Sequence, residues 1–204
     1  MIDITNFSYN SQFEEDRWLF EHYPHLFPEK GIFLDVGAGG GEGISNTYGL
    51  EKAGWEGLCI DADPANWEEL KSKRKTVYCG AVADHNGEVT FYQDIYNPDH
   101  SSTIVRTGSE KIITVPCKTI EDLLDEFNIE KIDLFSLDIE GTELEVLQQM
   151  DIEKHQPMIV IVEYKSPGLP DLTEPLKEFF VDKPYELVNV TFANLIFIRK
   201  ENNV

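Results

Sequence analysis

Four acidic residues, Asp35, Asp61, Asp138 and Glu163, each stand at the end of a short apolar run. The runs are Ile32 to Val36, Leu58 to Ile60, Ile132 to Leu137 and Met158 to Val162. A carboxylate at such a place can accept hydrogen bonds from a diol or an amine, take a proton as a general base, or ligate a hard cation. Directly after the first run come glycines at positions 37, 39, 40, 41 and 43. A strand that passes through a glycine turn into a helix brings backbone N–H groups and the positive helix end close to a ligand. A Cβ atom would block both the turn angles and the approach. These residues point to a small ligand held at one edge of a sheet, with carboxylates as its acceptors or as the reacting groups.

The elements that must position these residues are legible as an alternating rhythm. Ser11-Gln-Phe-Glu14 has the form of a capping box and opens a helix to about Tyr23, within an N-terminal helical segment (1–30) that contains Pro24 and Pro28. After the first strand and the turn, a helix is expected over Ile44 to Gly54. A strand to Asp61 follows, then a helix from Pro64 or Asn66 to about Ser72. Thr76 to Cys79 reads as a third strand that continues to Ala81-Val82. Strand, helix, strand, helix, strand is half of a parallel doubly wound sheet. The rhythm then changes, because Asn86-Gly87 signals a turn and both Glu88 to Tyr92 and Ile112 to Cys117 alternate. Residues 88–117 read as an inserted hairpin and lid, whose long polar loop contains Pro98, His100, Ser101, Ser102 and Gly108. Further on, Thr119 caps a helix to Phe127, and Ile132 to Asp138 is a core strand. Gly141 to Met150 is a helix, and the strand ending at Glu163 is followed by a helix from about Leu172 to Val181. Tyr185 to Val190 and Asn194 to Arg199 close the chain as an antiparallel pair. No internal repeat or linker interrupts this order, so residues 1–204 read as one domain.

Composition narrows the partners. With 38 acidic and 17 basic residues the formal charge is −21, which repels phosphate backbones and anionic lipid. The densest basic cluster, Lys71 to Lys75, falls at a helix end, where cations complement the dipole, and reads as solvated. Cys59, Cys79 and Cys117 are widely spaced and form no CxxC pair, a pattern that suits a reducing cytoplasm. No apolar window is long enough for a membrane span, and the N-terminus lacks the order of a signal peptide. The expectation is a cytoplasmic protein with no nucleic-acid partner and no membrane insertion; oligomeric state is not specified.

What the turn lacks excludes the two commonest phosphate readings. A dinucleotide fingerprint is G-x-G-x-x-G. Counting from Gly37 and Gly39, its third glycine falls on Glu42, and counting from Gly39 and Gly41 it falls on Ile44. A P-loop needs a Gly-Lys-Ser/Thr run, which is absent here. What stands instead is Asp35-x-Gly37-x-Gly39-x-Gly41 with Asp61 at the tip of the next strand. This resembles motif I and its acidic partner in S-adenosylmethionine-dependent methyltransferases of the Rossmann-like class. A closer resemblance, covering residues 11 to 199 with its motifs in order, is to the FkbM family of methyltransferases. It is carried by Ser11-Gln12 with Glu15-Asp16, by Asp35-Val-Gly37 with Gly41, and by Ser45-Asn46-Thr47-Tyr48, Leu50-Glu51-Lys52 and Gly54-Trp55. It continues in Ser101-Ser102, Thr119-Ile-Glu-Asp-Leu-Leu124 and Asp133-Leu-Phe-Ser-Leu-Asp138-Ile-Glu140-Gly141. Gly39-Gly40 departs from the Asn-Asp that members often carry, leaving fewer side chains on the turn. The resemblance implies an α/β fold of the Rossmann-like class I methyltransferase type, with a mostly parallel seven-stranded sheet and helices on both faces. It also implies O-methyl transfer from S-adenosylmethionine to a hydroxyl of a sugar, glycan or polyketide-like small molecule.

On that reading the acids hold the cofactor's handles. A carboxylate pressed against the sulfonium would stabilise the ground state more than the transition state, in which the positive charge is dispersing. Asp61 is assigned to the ribose hydroxyls, and the backbone of Gly37, Gly39 and Gly41 to the methionyl and adenosyl body. Ala81 and Val82 pack on adenine or simply in the core. Asp35 positions the methionyl amine or bonds locally in the turn. Asn46, in the first turns of the next helix, reaches the methionyl carboxylate or caps locally. Asp138 borders both cofactor and acceptor. A hydroxyl is too weak an acid to attack unaided at neutral pH, so a base or a metal is required. Asp138, Glu163 and His100 are the candidate catalytic residues, ahead of His85 and His155, while Tyr164 and Lys165 line the acceptor side or begin a loop. Asp138 and Glu163 on neighbouring strand ends resemble the magnesium sites of some sugar and catechol O-methyltransferases. A metal-free base is favoured, because Glu140 suits the N-terminus of the helix that follows. The competing functions are a binding module without acceptor chemistry and an NAD-dependent oxidoreductase or epimerase, the latter weakened by Glu42.

Overall fold

The computed structural model describes residue 2 and residues 7–94, 100–105 and 111–200; Pro98 and Gly108 of the expected loop lie outside the described residues. In chain order the elements are α1 (Glu15–His22), β1 (Ile32–Val36), α2 (Tyr48–Lys52), β2 (Glu56–Asp61), α3 (Trp67–Lys73), β3 (Val77–Cys79) and β4 (Ala81–Val82). They continue with β5 (Gly87–Gln93), β6 (Lys111–Lys118), α4 (Ile120–Glu126), β7 (Leu134–Leu137), α5 (Glu143–Gln149) and α6 (Ile152–His155). The chain closes with β8 (Ile159–Glu163), α7 (Thr173–Phe180), β9 (Tyr185–Val190) and β10 (Asn194–Arg199). Seven strands form one sheet in the order β3-β2-β1-β7-β8-β10-β9. Its pairs are parallel from β3 to β8, and β10 runs antiparallel to both β8 and β9. This is the mostly parallel seven-stranded sheet with a C-terminal antiparallel pair that the sequence led us to expect. Strand order reverses between β1 and β7, which leaves a crevice at their carboxyl ends where ligands bind in such sheets.

Side chains of period two feed two cores, one on each face, as a sheet covered by helices on both sides requires. Leu34, Val36, Val160, Val162, Leu195 and Phe197 join α4, α5 and α7 on one face. Phe33, Ile159, Ile161, Ile196 and Ile198 join Leu19, Phe20, Leu50, Trp55 and Leu70 on the other. Among the described residues, no helix is long and apolar enough to cross a membrane.

Four local features differ from the sequence reading. The helix after the glycine turn is confined to Tyr48–Lys52. Positive φ angles at Gly37, Gly39, Gly41 and Ile44 exclude a right-handed helix over the residues before it, and Asn46 consequently precedes the helix rather than lying in its first turns. The third strand does not run on into Ala81-Val82. The Gly80 N–H bonds the Asp61 carbonyl at 2.9 Å, and the chain then leaves the main sheet. Ala81 and Val82 pair in parallel with Cys117 and Lys118, which adds a third strand to the expected hairpin of β5 and β6. At the N-terminus Glu14 makes no cap bond and has φ 62°. Asp16 takes that role, accepting from the Asn10 and Ser11 N–H groups at 2.7 and 3.1 Å. Finally, Arg74 of the basic cluster is buried, with only 4 % exposure.

Candidate functional site

A cavity of about 330 Å³ opens along the carboxyl edge of the sheet, within the range of small-molecule sites. Asp35, Asp61, Asp138 and Glu163 all line it, as do Gly37, Gly39, Asn46, Ala81, Val82 and His100. The structure therefore brings the sequence-predicted residues to one site, with one exception. Gly41 is not on the wall: its Cα faces α3, where a Cβ would come within 2.8 Å of Leu70 and Arg74 side-chain carbons.

The glycine turn is held by its neighbours. Gly37 and Ala38 both donate to the Ile60 carbonyl at 2.9 Å. A Cβ on Gly37 would fall 1.5 Å from the Asp138 carbonyl oxygen, so β1 and the end of β7 can approach only at a glycine. At Gly39 no atom lies within 4 Å of where a Cβ would stand, and this stretch of backbone faces open space. Asp61 is the anchor. Its carboxylate accepts from the Gly39 N–H at 2.8 Å, the Asp63 N–H at 3.0 Å and Asn66 Nδ2 at 3.0 Å. Burial pushes its carboxyl up to about 7, although these bonds pull the other way. Two buried polar atoms on residues of the cavity wall lack any partner among the described residues: Asn46 Oδ1 and Asp63 Oδ2.

Asp35 shares a face of β1 with Phe33, and this directs it toward α2 and α3. There it accepts from the Thr47 hydroxyl, and its Oδ2 lies 3.6 Å from Arg74 Nη1. Of the two roles open to it, local bonding is what the structure displays, but to a hydroxyl and a guanidinium instead of turn N–H groups. Arg74 donates to Glu51 Oε2 at 3.1 Å, the Gly41 carbonyl at 2.9 Å and Thr47 Oγ1 at 2.7 Å, and lies 5.1 Å over the Phe33 ring. This guanidinium clamps the glycine turn onto the sheet. Burial raises the Asp35 carboxyl above the ordinary carboxylate range, and Arg74 opposes the shift.

At the other end of the cavity β7 and β8 run side by side, with Leu137 level with Val162, so that Asp138 and Glu163 come next in register. Asp138, Glu143 and Glu163 offer carboxylate oxygens all within 4.8 Å of one another. Burial, then repulsion from Glu140 and Glu143, raises Asp138 well above the ordinary carboxylate range, although a hydrogen bond with Glu163 opposes the shift. Burial, then repulsion from Asp138, Glu140 and Glu143, raises Glu163 further. Glu140 does not sit on the helix N-terminus as expected. Its φ of 64°, followed by 115° at Gly141, turns the chain, and its side chain accepts from the Ser166 hydroxyl. Glu143 takes the helix-end position, accepting from the Ile139 and Gly141 N–H groups at 3.0 Å.

Of the histidines considered as bases, His100 lines the cavity. His85 pairs with Asp84 at the surface, and His155 is buried between the Glu130 carbonyl and Glu121. Lys165 is on the wall, while the Tyr164 hydroxyl holds the carbonyls of Thr191 and Phe192 at 3.3 Å. Sequence reasoning did not find the mouth of the site. Phe13 and Phe192 pack together there with ring centroids 5.4 Å apart, although Phe192 is 71 % exposed. The fully buried Glu15 brings these segments together by accepting from Asn194 Nδ2 at 2.8 Å and the Thr191 hydroxyl at 3.0 Å.

No curated protein matches the chain. Among solved structures it is similar to a methyltransferase from Geobacter sulfurreducens, at 13 % identity and a TM-score of 0.50, over 94 % of this chain and 81 % of that one. It is also similar to a hypothetical protein from Thermus thermophilus, at 14 % identity and a TM-score of 0.51, over 98 % and 93 %. At such identities the likeness concerns the fold. The family model for the methyltransferase FkbM domain matches residues 35–186, from the end of β1 to the start of β9. With most of its length inside that match, the chain belongs to the FkbM family of S-adenosylmethionine-dependent methyltransferases.

Proposed function

We propose that the protein is an O-methyltransferase whose acceptor is a hydroxyl of a sugar, glycan or polyketide-like small molecule. The observation that carries this reading is one cavity with two chemically different ends, a glycine turn with Asp61 at one and the close carboxylates of Asp138 and Glu163 at the other.

The first end fits S-adenosylmethionine. Gly39 leaves backbone open to the ligand, Asp61 offers its Oδ2, which holds only the Gly39 N–H, to a ribose hydroxyl, and the buried Val82 and Phe91 offer an apolar wall to a purine. Asn46 donates to the Ser136 hydroxyl at 3.1 Å and leaves its Oδ1 unpartnered. Because Ser136 can donate as well as accept, the amide can turn over and present its N–H₂ to the methionyl carboxylate. When bound, the cofactor supplies an electrophilic methyl group on a sulfonium. At the second end, two adjacent carboxylates, Glu163 buried and Asp138 half-buried, resist ionising together at neutral pH, so the pair keeps a proton. Its ionised member is a stronger base than an ordinary carboxylate and takes the acceptor's proton as the oxygen attacks. The Asp138–Glu163 pair does this without a metal. Glu143, the remaining carboxylate of the cluster, is already committed to the Ile139 and Gly141 N–H groups.

Magnesium held by Asp138 and Glu163 is the second reading, favoured by the spacing of their oxygens with Glu143. The formal charge of −21 opposes a nucleic-acid acceptor and an anionic membrane. Free thiols at Cys59, Cys79 and Cys117 suit the cytoplasm. The test is transfer of a tritiated methyl group to a panel of sugar, glycan and polyketide alcohols, with and without a chelator. Alkali-stable methyl ether products that form in the chelator's presence are expected. Methylation confined to amines would overturn the O-methyl assignment, and loss of activity on chelation would select the magnesium reading. Cofactor binding without transfer to any acceptor would leave a binding module.

A further inference from the structure

The cofactor end of the cavity carries a carboxylate that the reading above does not use. Asp63 is 3 % exposed and lies on the cavity wall beside Asp61. Its Oδ1 is saturated, accepting from the Ala65 N–H at 2.9 Å and Gln93 Nε2 at 2.6 Å. Its Oδ2 is buried and has no partner among the described residues. A buried acceptor left unmade is costly, and more so when it is charged, so an acceptor in this position implies a donor that arrives with the ligand. The surrounding wall, formed by Asp61, Ala62, Asn66, Ala81, Val82 and Phe91, is the part of the cavity that suits a nucleoside.

We propose that Asp63 is a second cofactor-binding carboxylate, whose Oδ2 accepts a hydrogen bond from an O–H or N–H of the adenosyl group alongside Asp61. The proposal rests on the cofactor assignment above. It adds a link to the hairpin, because Gln93 is the last residue of β5 and bonds the same carboxyl. The adenosyl group therefore tightens a carboxylate that is already tied to the strand leading toward Ser101 and Ser102, and the Ser102 hydroxyl donates to the Glu140 carbonyl at 2.6 Å.

Titration calorimetry of S-adenosylhomocysteine with the full chain and with Asp63→Asn tests this. In the variant the retained carbonyl still accepts from Ala65 and Gln93, but an amide N–H₂ replaces Oδ2 and faces the ligand's donor. The expected result is a loss of affinity of about 10- to 100-fold, the range of a hydrogen bond to a charged group. Melting of the ligand-free variant should be unchanged or raised, since a buried acceptor without a partner has been removed. Asp63→Ser keeps a short acceptor for the Ala65 N–H and should show a smaller loss, which gives a second variant should the first fold poorly. Two analogues of S-adenosylhomocysteine separate the sources of the donor. If the adenine amine is the donor, the analogue lacking that group binds Asp63→Asn and wild type equally. If a ribose hydroxyl is the donor, the 2′- or 3′-deoxy analogue does so. Equal affinity of S-adenosylhomocysteine for wild type and Asp63→Asn would overturn the proposal, as would a loss that persists undiminished with every analogue. A wild-type chain that binds no S-adenosylhomocysteine would overturn the cofactor assignment itself, and this proposal with it.

Discussion

Replacing Arg74 by methionine should expose how the glycine turn is held. The guanidinium is fully buried between Glu51, at 3.1 Å, and Asp35, at 3.6 Å, whose side chains are 3 and 6 % exposed. Methionine preserves much of the volume and the packing on Phe33 but removes the charge and every donor. Breaking a buried ion pair from one side costs about 3–5 kcal/mol, because the partner is left charged and unpaired. For a chain of this size each kcal/mol moves Tm by about 2–4 °C, so a fall of roughly 6–20 °C is expected at pH 8. The pH dependence supplies an independent check. Burial already raises the Asp35 carboxyl, with Arg74 as the main opposing influence; without Arg74 it rises further. An acid whose folded pKa lies above its unfolded value stabilises the fold most at low pH and loses that contribution as pH rises through the folded pKa. The deficit of Arg74→Met should therefore shrink as pH falls from 8 toward 5. Arg74→Lys keeps the charge but cannot reach Glu51, Gly41 and Thr47 together, and should fall between methionine and wild type. Differential scanning calorimetry at several pH values reads all of this. A deficit below about 1 kcal/mol at pH 8, or one that grows toward acid, would refute the argument that this cluster is a charge-balanced clamp.

Gly37→Ala should abolish cofactor binding or folding, since its Cβ meets the Asp138 carbonyl at 1.5 Å and its φ is +90°; a circular dichroism spectrum and an S-adenosylhomocysteine titration like wild type would contradict the close approach. At Gly39, where φ is +54° but nothing lies within 4 Å, alanine should cost only about 1 kcal/mol of backbone strain, read by denaturant melting. Since the Asp61 carboxyl is pushed up to about 7 and must be ionised for its Oδ2, which holds only the Gly39 N–H, to accept from a ribose hydroxyl, S-adenosylhomocysteine affinity should fall roughly tenfold per pH unit below 7 and level off above it. Asp61→Asn should remove that pH dependence along with most of the affinity, and a flat wild-type profile from pH 5.5 to 8.5 would count against Asp61 as the diol acceptor. Asp138→Asn and Glu163→Gln should each lower kcat by about 10²–10⁴-fold; Glu163→Gln should do so with little change in cofactor affinity, and full activity in both variants would remove the pair as the base.

How much of this was legible in the sequence follows from how local each signal is. Apolar runs ending in acid placed β1, β2, β7 and β8, because a strand buried on both faces needs an unbroken run and its polar end marks the sheet edge. The same alternation also contained the facing of Asp35: Phe33 and Asp35 share a parity, so whatever covers Phe33 must also meet Asp35. The covering residue is Arg74, which lies 5.1 Å over the Phe33 ring, and it was hidden inside a basic cluster that local composition reads as solvated. One signal could have singled it out. Arg74 follows the fully buried Leu70 by four residues, and its N–H bonds the Leu70 carbonyl at 2.9 Å, so it continues the inward face of α3 while Lys71 and Lys73 do not. The interchange of Glu140 and Glu143 has a different origin. A single glycine at 141 suggests one turn position, but the chain uses positive φ at both Glu140 and Gly141, and that extra left-handed residue decides which acid reaches the helix end. Asp63 is the second acid of Asp61-Ala-Asp63-Pro64, where an acid before proline favours a local turn. Asn66 stands at the start of α3, and Asp63 uses its Oδ1 in the turn ahead of that helix, accepting from the Ala65 N–H two residues on. Its Oδ2 is accounted for only by the cavity wall, a tertiary feature that brings β2, β4 and β5 together. Local patterning thus located the acids of this site, whereas their division between scaffold and ligand depends on partners 30 or more residues away in the chain, such as Gln93 for Asp63 and Arg74 for Asp35.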